Sequence, residues 1–227
     1  MDKDKKIALI TGASKGIGKA LAEKMMAENY FVIGTSTSGM LPDFPTDQLF
    51  ALTLDLTDSK SIENAHEIIF KKFDHLDVLI NNAGIGPDLG SPVPDQMSYD
   101  QTFEVNVKGT VFFTEPLLKF IKKNGKLINI SSKMGSLNNC SSSDSIAYRM
   151  SKSALNMYSK ILTNRLSGTL NVGIIHPGWV QTTICESNLK NATLTTAQSA
   201  ENIYRFLSSD YESGTYWDAE DEAPLLW

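Results

Sequence analysis

The sequence predicts an α/β fold: a doubly wound, parallel sheet of about seven strands with helices on both faces. Three observations predict it. Strand-like and helical runs alternate from one end of the 227 residues to the other, the pattern of a sheet wound by crossover helices. The strand-like runs are short, apolar and free of polar alternation, as suits strands buried on both faces. The glycine-rich and polar clusters fall just after these strands, at the end of the sheet where ligands bind in this architecture.

Taken in order, Ile7–Ile10 is the first strand, followed by a glycine-rich turn and a helix over about Ile17–Glu28. Tyr30–Ile33 and Leu49–Leu52 are the next two strands. Asp58 or Ser59 can cap the helix that follows, which runs to about Phe73, because a short polar side chain satisfies free first-turn amides. Val78–Ile80 is the fourth strand. A long helix is expected over about Tyr99–Lys123, with Pro116 kinking or dividing it. Lys126–Ile130, Val172–Ile175 and Thr215–Trp217 complete the strands, with helices at Ile146–Leu166 and Thr196–Leu207. No linker-like segment divides the chain, so residues 1–227 read as a single domain.

Composition narrows the function. A formal charge of -5 and a pI of about 5.2 give no electrostatic footprint for nucleic acid. The acids Asp218, Glu220, Asp221 and Glu222 read as a solvated face. Two cysteines, Cys140 and Cys185, make no disulfide framework. The first residues are polar, and no run approaches the roughly 18 apolar residues of a membrane span. A cytoplasmic setting is expected, with no membrane and no nucleic-acid partner. His66, His75 and His176 are scattered, and no metal site is expected.

Three groups of residues carry the chemistry. Thr11-Gly12-Ala13-Ser14-Lys15-Gly16-Ile17-Gly18 joins the first strand to the first helix; glycines there let the backbone approach a pyrophosphate, and the helix aims free amides at it. Asn82-Ala83-Gly84 follows the fourth strand, where small residues admit a ribose and an Asn can brace neighbouring strands. Tyr148 and Lys152 lie four apart on one helix and so share a face. An ammonium about 5 Å from a phenol favours the phenolate by roughly 3 kcal/mol, which would bring a tyrosine pKa from about 10 to about 8, toward the range general acid–base catalysis needs.

Together with Asn106, Ser132 and Pro177-Gly178, these segments resemble the short-chain dehydrogenase/reductase family over nearly the whole chain. More narrowly, Tyr148–Asn156 and His176–Val180 resemble the carbonyl reductases related to C-factor and sniffer. The resemblance implies a Rossmann-type fold and hydride transfer between a nicotinamide cofactor and a carbonyl or secondary alcohol. It implies that Gly12, Ser14, Lys15, Gly16, Ile17 and Gly18 hold phosphates and ribose. Asp55 and Leu56 would lie at the adenine, and Pro177, Gly178, Val180 and Thr182 at the nicotinamide. Ser132 would hold the substrate oxygen, Tyr148 would donate the proton, Lys152 would grip the ribose, and Asn106 would hold a relay water. Ser131 is adjacent, and strand alternation allows only one of the two serines into the site.

At the end of the second strand no acid appears before Asp43; Thr35-Ser36-Thr37-Ser38 stand there instead. A carboxylate at that point would favour NAD(H), so hydroxyls at Thr37 and its neighbours, with Lys15 nearby, predict NADP(H). The polar Asn138–Ser145 stretch is expected to form a loop at the mouth of the site, carrying Cys140. Residues 183–195 are expected to form a short substrate lid over a small-molecule pocket. The alternative function is a non-catalytic NADP(H)-sensing regulator, or an interaction protein working through the acidic C-terminal region. Helices around Phe103–Phe120 and Ala147–Leu166 often pair copies in the family, so both a monomer and a homo-oligomer remain open.

Overall fold

The computed structural model describes residues 5–41, 44 and 47–227. Its strands are β1 Lys6–Ile10, β2 Tyr30–Ser36, β3 Leu49–Thr53, β4 Leu76–Asn81, β5 Ile121–Ile130, β6 Asn171–His176, β7 Thr215–Asp218 and β8 Ala223–Pro224. They form one sheet in the order β3-β2-β1-β4-β5-β6-β7-β8. All neighbours are parallel except β7 and β8. Strand order reverses at β1, which pairs with β2 on one side and β4 on the other. The seven expected strands are all present, and β8 is an added two-residue edge.

Alternation within the strands builds two cores. Ile7 and Leu9 face one side with Ile62, Ile69, Phe113, Leu117 and Leu162 from α2 (Ser59–Lys72), α4 (Thr110–Leu117) and α5 (Ile146–Arg165). Ala8 and Ile10 face the other with Leu21, Met25, Ile203 and Phe206 from α1 (Gly16–Ala27) and α7 (Thr196–Ser208). A parallel strand covered on both faces has no room for polar alternation, which is why these runs read as unbroken apolar stretches. Asp58, rather than Ser59, caps α2 by accepting from Lys60 N at 2.9 Å. At α7, Thr195 and Gln198 form a reciprocal capping box.

The expected helix over Tyr99–Lys123 is broken instead into α3 (Gln96–Phe103), a π-helical turn over Glu104–Gly109, and α4, which stops at Leu117. Thr110 Oγ1 donates to Val105 O at 3.1 Å across the widened turn. Pro116, with no amide hydrogen, lies in the last turn of α4. Residues 121–123, read as the helix end, begin β5. The register there jumps from Leu76↔Ile121 to Val78↔Lys126, and Asn124 turns the backbone at φ 64°, a bulge that apolar periodicity does not reveal. Among the described residues no helix is long and apolar enough to cross a membrane. α6 (Glu186–Asn191) lies within the expected lid segment.

Candidate active site

At the end of β1 the glycines divide their work. Gly12 (φ +68°) packs on Ala83, whose Cα would stand 3.1 Å from a Cβ there. Thr11 Oγ1 accepts from both Asn82 N (3.0 Å) and Ala83 N (2.9 Å), and Asn82 Nδ2 donates to Thr11 O and Gly12 O. Asn82 is thus the expected brace between β1 and β4. A Cβ on Gly18 would lie 2.2 Å from Gly12 O and 2.5 Å from Asn82 Nδ2. Gly12 and Gly18 are therefore needed for internal packing. Gly16 (φ +59°) is the open one: its Cβ position meets only the Thr182 side chain, at 3.6 Å. Gly18→Ala should lower stability by about 1–3 kcal/mol, read as a lower denaturation midpoint; an unchanged midpoint would contradict this packing.

Residues expected to hold the far end of a dinucleotide lie around β2 and β3. Ser36 is buried and donates to Met40 O at 3.0 Å, whereas Thr37, Ser38 and Lys15 are exposed. Asp43 lies outside the described residues. Asp55 Oδ1 accepts from Thr57 N (2.9 Å) and Thr57 Oγ1 (2.7 Å), so half of its carboxylate shapes a turn. Leu56 is buried. Its carbonyl would be 2.2 Å from a Cβ on Gly109, which fixes glycine at the end of the π-helical turn.

Ser132, Tyr148, Ile17, Pro177, Gly178, Val180 and Thr182 line one cleft of about 770 Å³. The Ser132 hydroxyl and the Tyr148 phenol share the wall of this cleft. Ser131 Oγ turns the other way and donates to buried Asn156, as alternation requires. Tyr216 donates its hydroxyl to Ser132 O, and the Ser132 hydroxyl accepts from Met134 N at 3.2 Å.

Lys152 is buried, its ammonium donating to Ile130 O at 2.9 Å and standing 5.6 Å from the Tyr148 ring centre. The separation matches expectation; its electrostatic outcome does not. Burial pushes Tyr148 up to about 12, against a smaller opposing pull from the nearby Ser132 hydroxyl. Burial also brings Lys152 down to about 8. Loss of hydration is the largest cause of both shifts in this enclosed pair, so at neutral pH the phenol keeps its proton.

Asn106 sits in the π-helical turn. Its Oδ1 accepts from Ile85 N (2.9 Å), and its Nδ2 donates to Ile85 O (2.8 Å) and Ser151 Oγ (3.0 Å). Asn106 and Lys152 both approach Gly84: a Cβ there would lie 3.3 Å from Asn106 Oδ1 and 3.5 Å from Lys152 Nζ.

The mouth departs from expectation in one respect. Of the C-terminal acids, Asp221 and Glu222 are exposed as expected, but Asp218 and Glu220 are not part of a solvated face. Asp218 is buried, accepts from Lys133 Nζ (3.3 Å), and takes the backbone amides of Glu220 and Asp221. Glu220 accepts from Trp179 N (2.8 Å) and Thr193 Oγ1 (2.5 Å), clasping both ends of residues 179–193. The Trp179 indole donates to Asn188 of α6 at 3.0 Å, and Ile184, Cys185 and Asn188 line the cleft. Asn139, Asp144 and Ser145 bring the 138–145 loop to its rim, while Cys140 is exposed. His176 also lines the cleft, and its buried Nδ1 has no partner among the described residues.

Sequence reasoning missed Asp88, Glu220 and the Asp218–Lys133 pair. Each acts on a residue far away in the chain, so no local spacing marks it.

The family model for short chain dehydrogenase matches residues 6–193. The chain belongs to the short-chain dehydrogenase family. This short-chain dehydrogenase is 32% identical to the 3-oxoacyl-(acyl-carrier-protein) reductase FabG of Haemophilus influenzae, over 92% of this chain and 94% of that one. Among solved structures, a short-chain dehydrogenase/reductase from Burkholderia multivorans with bound NADP is 26% identical with a TM-score of 0.85, over 98% of this chain and 100% of that one. A carbonyl reductase from Pseudomonas aeruginosa PAO1 is 26% identical with a TM-score of 0.82, over 98% and 100%. The Sniffer carbonyl reductase of Drosophila melanogaster shares the fold at 24% identity, with a TM-score of 0.82 over 98% and 99% of the two chains.

Proposed function

We propose that this short-chain dehydrogenase is an NADP(H)-dependent carbonyl reductase. One observation carries the reading: Ser132 and a buried, protonated Tyr148 phenol line the wall of one cleft with Pro177, Gly178, Val180 and Thr182, and the buried Lys152 ammonium stands 5.6 Å from the Tyr148 ring centre. The NADP bound to the Burkholderia neighbour and the reductase activities named for the Haemophilus and Pseudomonas proteins support it. The residues present fit a dinucleotide: the open Gly16 faces Thr182 across the turn, and Lys15, Thr37 and Ser38 offer exposed donors for a 2′-phosphate.

NADPH, when bound, supplies the hydride for the carbonyl carbon. Ser132 holds the carbonyl oxygen. Tyr148 donates its proton to that oxygen, leaving a phenolate that the Lys152 ammonium stabilises. Ile130 O holds that ammonium in place. Asn106, which approaches Gly84 together with Lys152, orders the path by which the proton is replaced. The reverse direction oxidises a secondary alcohol.

The test is consumption of NADPH over a panel of ketones, aldehydes and quinones. Turnover on several classes is expected, since residues 183–195 form only a short cover over the cleft. Strict preference for one substrate would overturn the tolerant pocket, and no turnover in either direction would overturn the reductase reading. Cofactor choice has its own test. Thr37→Asp should shift the NADPH-to-NADH ratio of kcat/KM toward NADH by on the order of tenfold or more, because a carboxylate repels the 2′-phosphate and accepts from a ribose hydroxyl. A wild type that already prefers NADH would refute the assignment.

A further inference from the structure

Helix α5 carries Tyr148 in its first turn, yet it starts without a cap of its own. Ser145, at the cap position, lies in the left-handed region (φ 56°, ψ 43°) and makes no side-chain bond to the first-turn amides. Its hydroxyl faces Gly90 N (2.9 Å) and Asp144 Oδ1 (3.1 Å) instead. The amides it leaves free are taken from a distance. Asp88, 60 residues upstream of Tyr148 and only 2% exposed, accepts from Ala147 N at 2.7 Å and from Tyr148 N at 3.1 Å.

Asp88 belongs to the loop after β4, the segment that also carries Ala83 and Gly84. Its neighbours tie the same joint: Ser145 N donates to Ser91 O (2.8 Å), Ser91 N donates to Asp88 O (2.9 Å), and Leu89 and Gly90 line the cleft. Gly86 meets the Tyr148 ring directly, with ring Cδ2 2.9 Å from where a Cβ would be. A carboxylate at a helix N-terminus gains from the helix dipole and from charge-assisted bonds to amides. Burial restricts this one to the two amides that fix where the Tyr148 backbone starts.

We propose that Asp88 is the positioning residue for Tyr148. By capping α5 from the β4 loop, it couples the loop that carries Ala83 and Gly84 to the proton donor and fixes where the phenol stands in the cleft it shares with Ser132. The proposal rests on the reductase reading given above.

The experiment compares wild type, Asp88→Ala and Asp88→Asn for kcat, KM, NADPH affinity and the solvent deuterium isotope effect on kcat, together with amide exchange at Ala147 and Tyr148. In Asp88→Ala, kcat should fall about 10-fold to 100-fold, the effect of displacing a catalytic group by about an ångström. NADPH affinity should hold, and the isotope effect should rise as proton transfer becomes slower. Asp88→Asn keeps an acceptor oxygen for one amide and should recover part of kcat; it also serves if the alanine variant does not fold. A kcat per folded molecule equal to wild type, or an unchanged isotope effect, would overturn the positioning role while leaving the reductase reading intact. Should the wild type show no turnover, the reductase reading fails by itself. Amide exchange then decides the cap: faster exchange at Ala147 and Tyr148 in both variants upholds it, and unchanged exchange overturns it.

Discussion

Tyr148→Phe is expected to lower turnover by about 10²-fold to 10⁴-fold, the usual worth of a positioned proton donor, with NADPH affinity retained. The phenol lines the cleft together with Ser132 and holds its proton throughout the neutral range, since burial keeps its pKa near 12. Phenylalanine preserves the ring that packs against Gly86 and the backbone amide that Asp88 holds. The loss therefore falls on chemistry rather than on folding. Removing one neutral buried hydrogen bond costs about 1 kcal/mol of stability, too little to unfold a domain. Initial rates on the best substrate of the panel, with NADPH binding followed by calorimetry, check both halves. Turnover comparable to wild type would remove Tyr148 from the reaction.

Why these residues could be found in the sequence, and others could not, follows from where their partners lie. Tyr148 and Lys152 share one helical turn, and Gly12, Gly16 and Gly18 share one loop, so a local pattern exposes them. The strands were legible for a similar reason: burial on both faces leaves unbroken apolar runs such as Ile7–Ile10 and Val172–Ile175. Asp88 and Glu220 act across 60 and 41 residues, on Tyr148 N and Trp179 N. In a linear reading each is a polar loop residue like any other. The helix expected through Lys123 failed on comparable grounds, because a π-helical turn and a β-bulge depend on what packs against them. Asn106 in that turn reaches Ile85 and Ser151, neither of which is near it in sequence.

The sign of the Tyr148–Lys152 electrostatics was likewise out of reach. Charge attraction can be computed from an assumed separation, and the assumed 5 Å was close to the 5.6 Å found between the ammonium and the ring centre. What the sequence does not reveal is that both groups are enclosed, so each loses hydration when it ionises. The consequence favours reduction: at neutral pH the donor is protonated, and the lysine retains most of its charge.

That arrangement makes Lys152 costly to the fold, and Lys152→Met should show it. The variant is expected to lose at least about 10²-fold in turnover and yet to be more stable than wild type at pH 7. In the folded protein the lysine titrates near 8 rather than 10.5. Below about pH 8 both folded and unfolded chains carry the proton, and keeping it in the buried site costs about 3 kcal/mol. Methionine fills a similar volume without that charge. It forfeits the bond to Ile130 O, so the net gain should be about 1–2 kcal/mol, or a rise in Tm of roughly 2–8 °C for a chain of this size. The gain must shrink as pH rises from about 8 toward 10.5, because there the wild-type lysine sheds its proton on folding and escapes the penalty. The same titration should appear in catalysis as a fall in wild-type kcat/KM for reduction above about pH 8, since an uncharged amine no longer stabilises the phenolate. Denaturation midpoints of the two proteins across this range, set beside the wild-type pH profile, test one group by two independent readouts. A variant less stable than wild type at pH 7, or a gain that does not diminish with pH, would mean that hydrogen bonding rather than desolvation governs Lys152. The activity of this site would then rest on a lysine the fold welcomes, not on one it tolerates at a cost in stability.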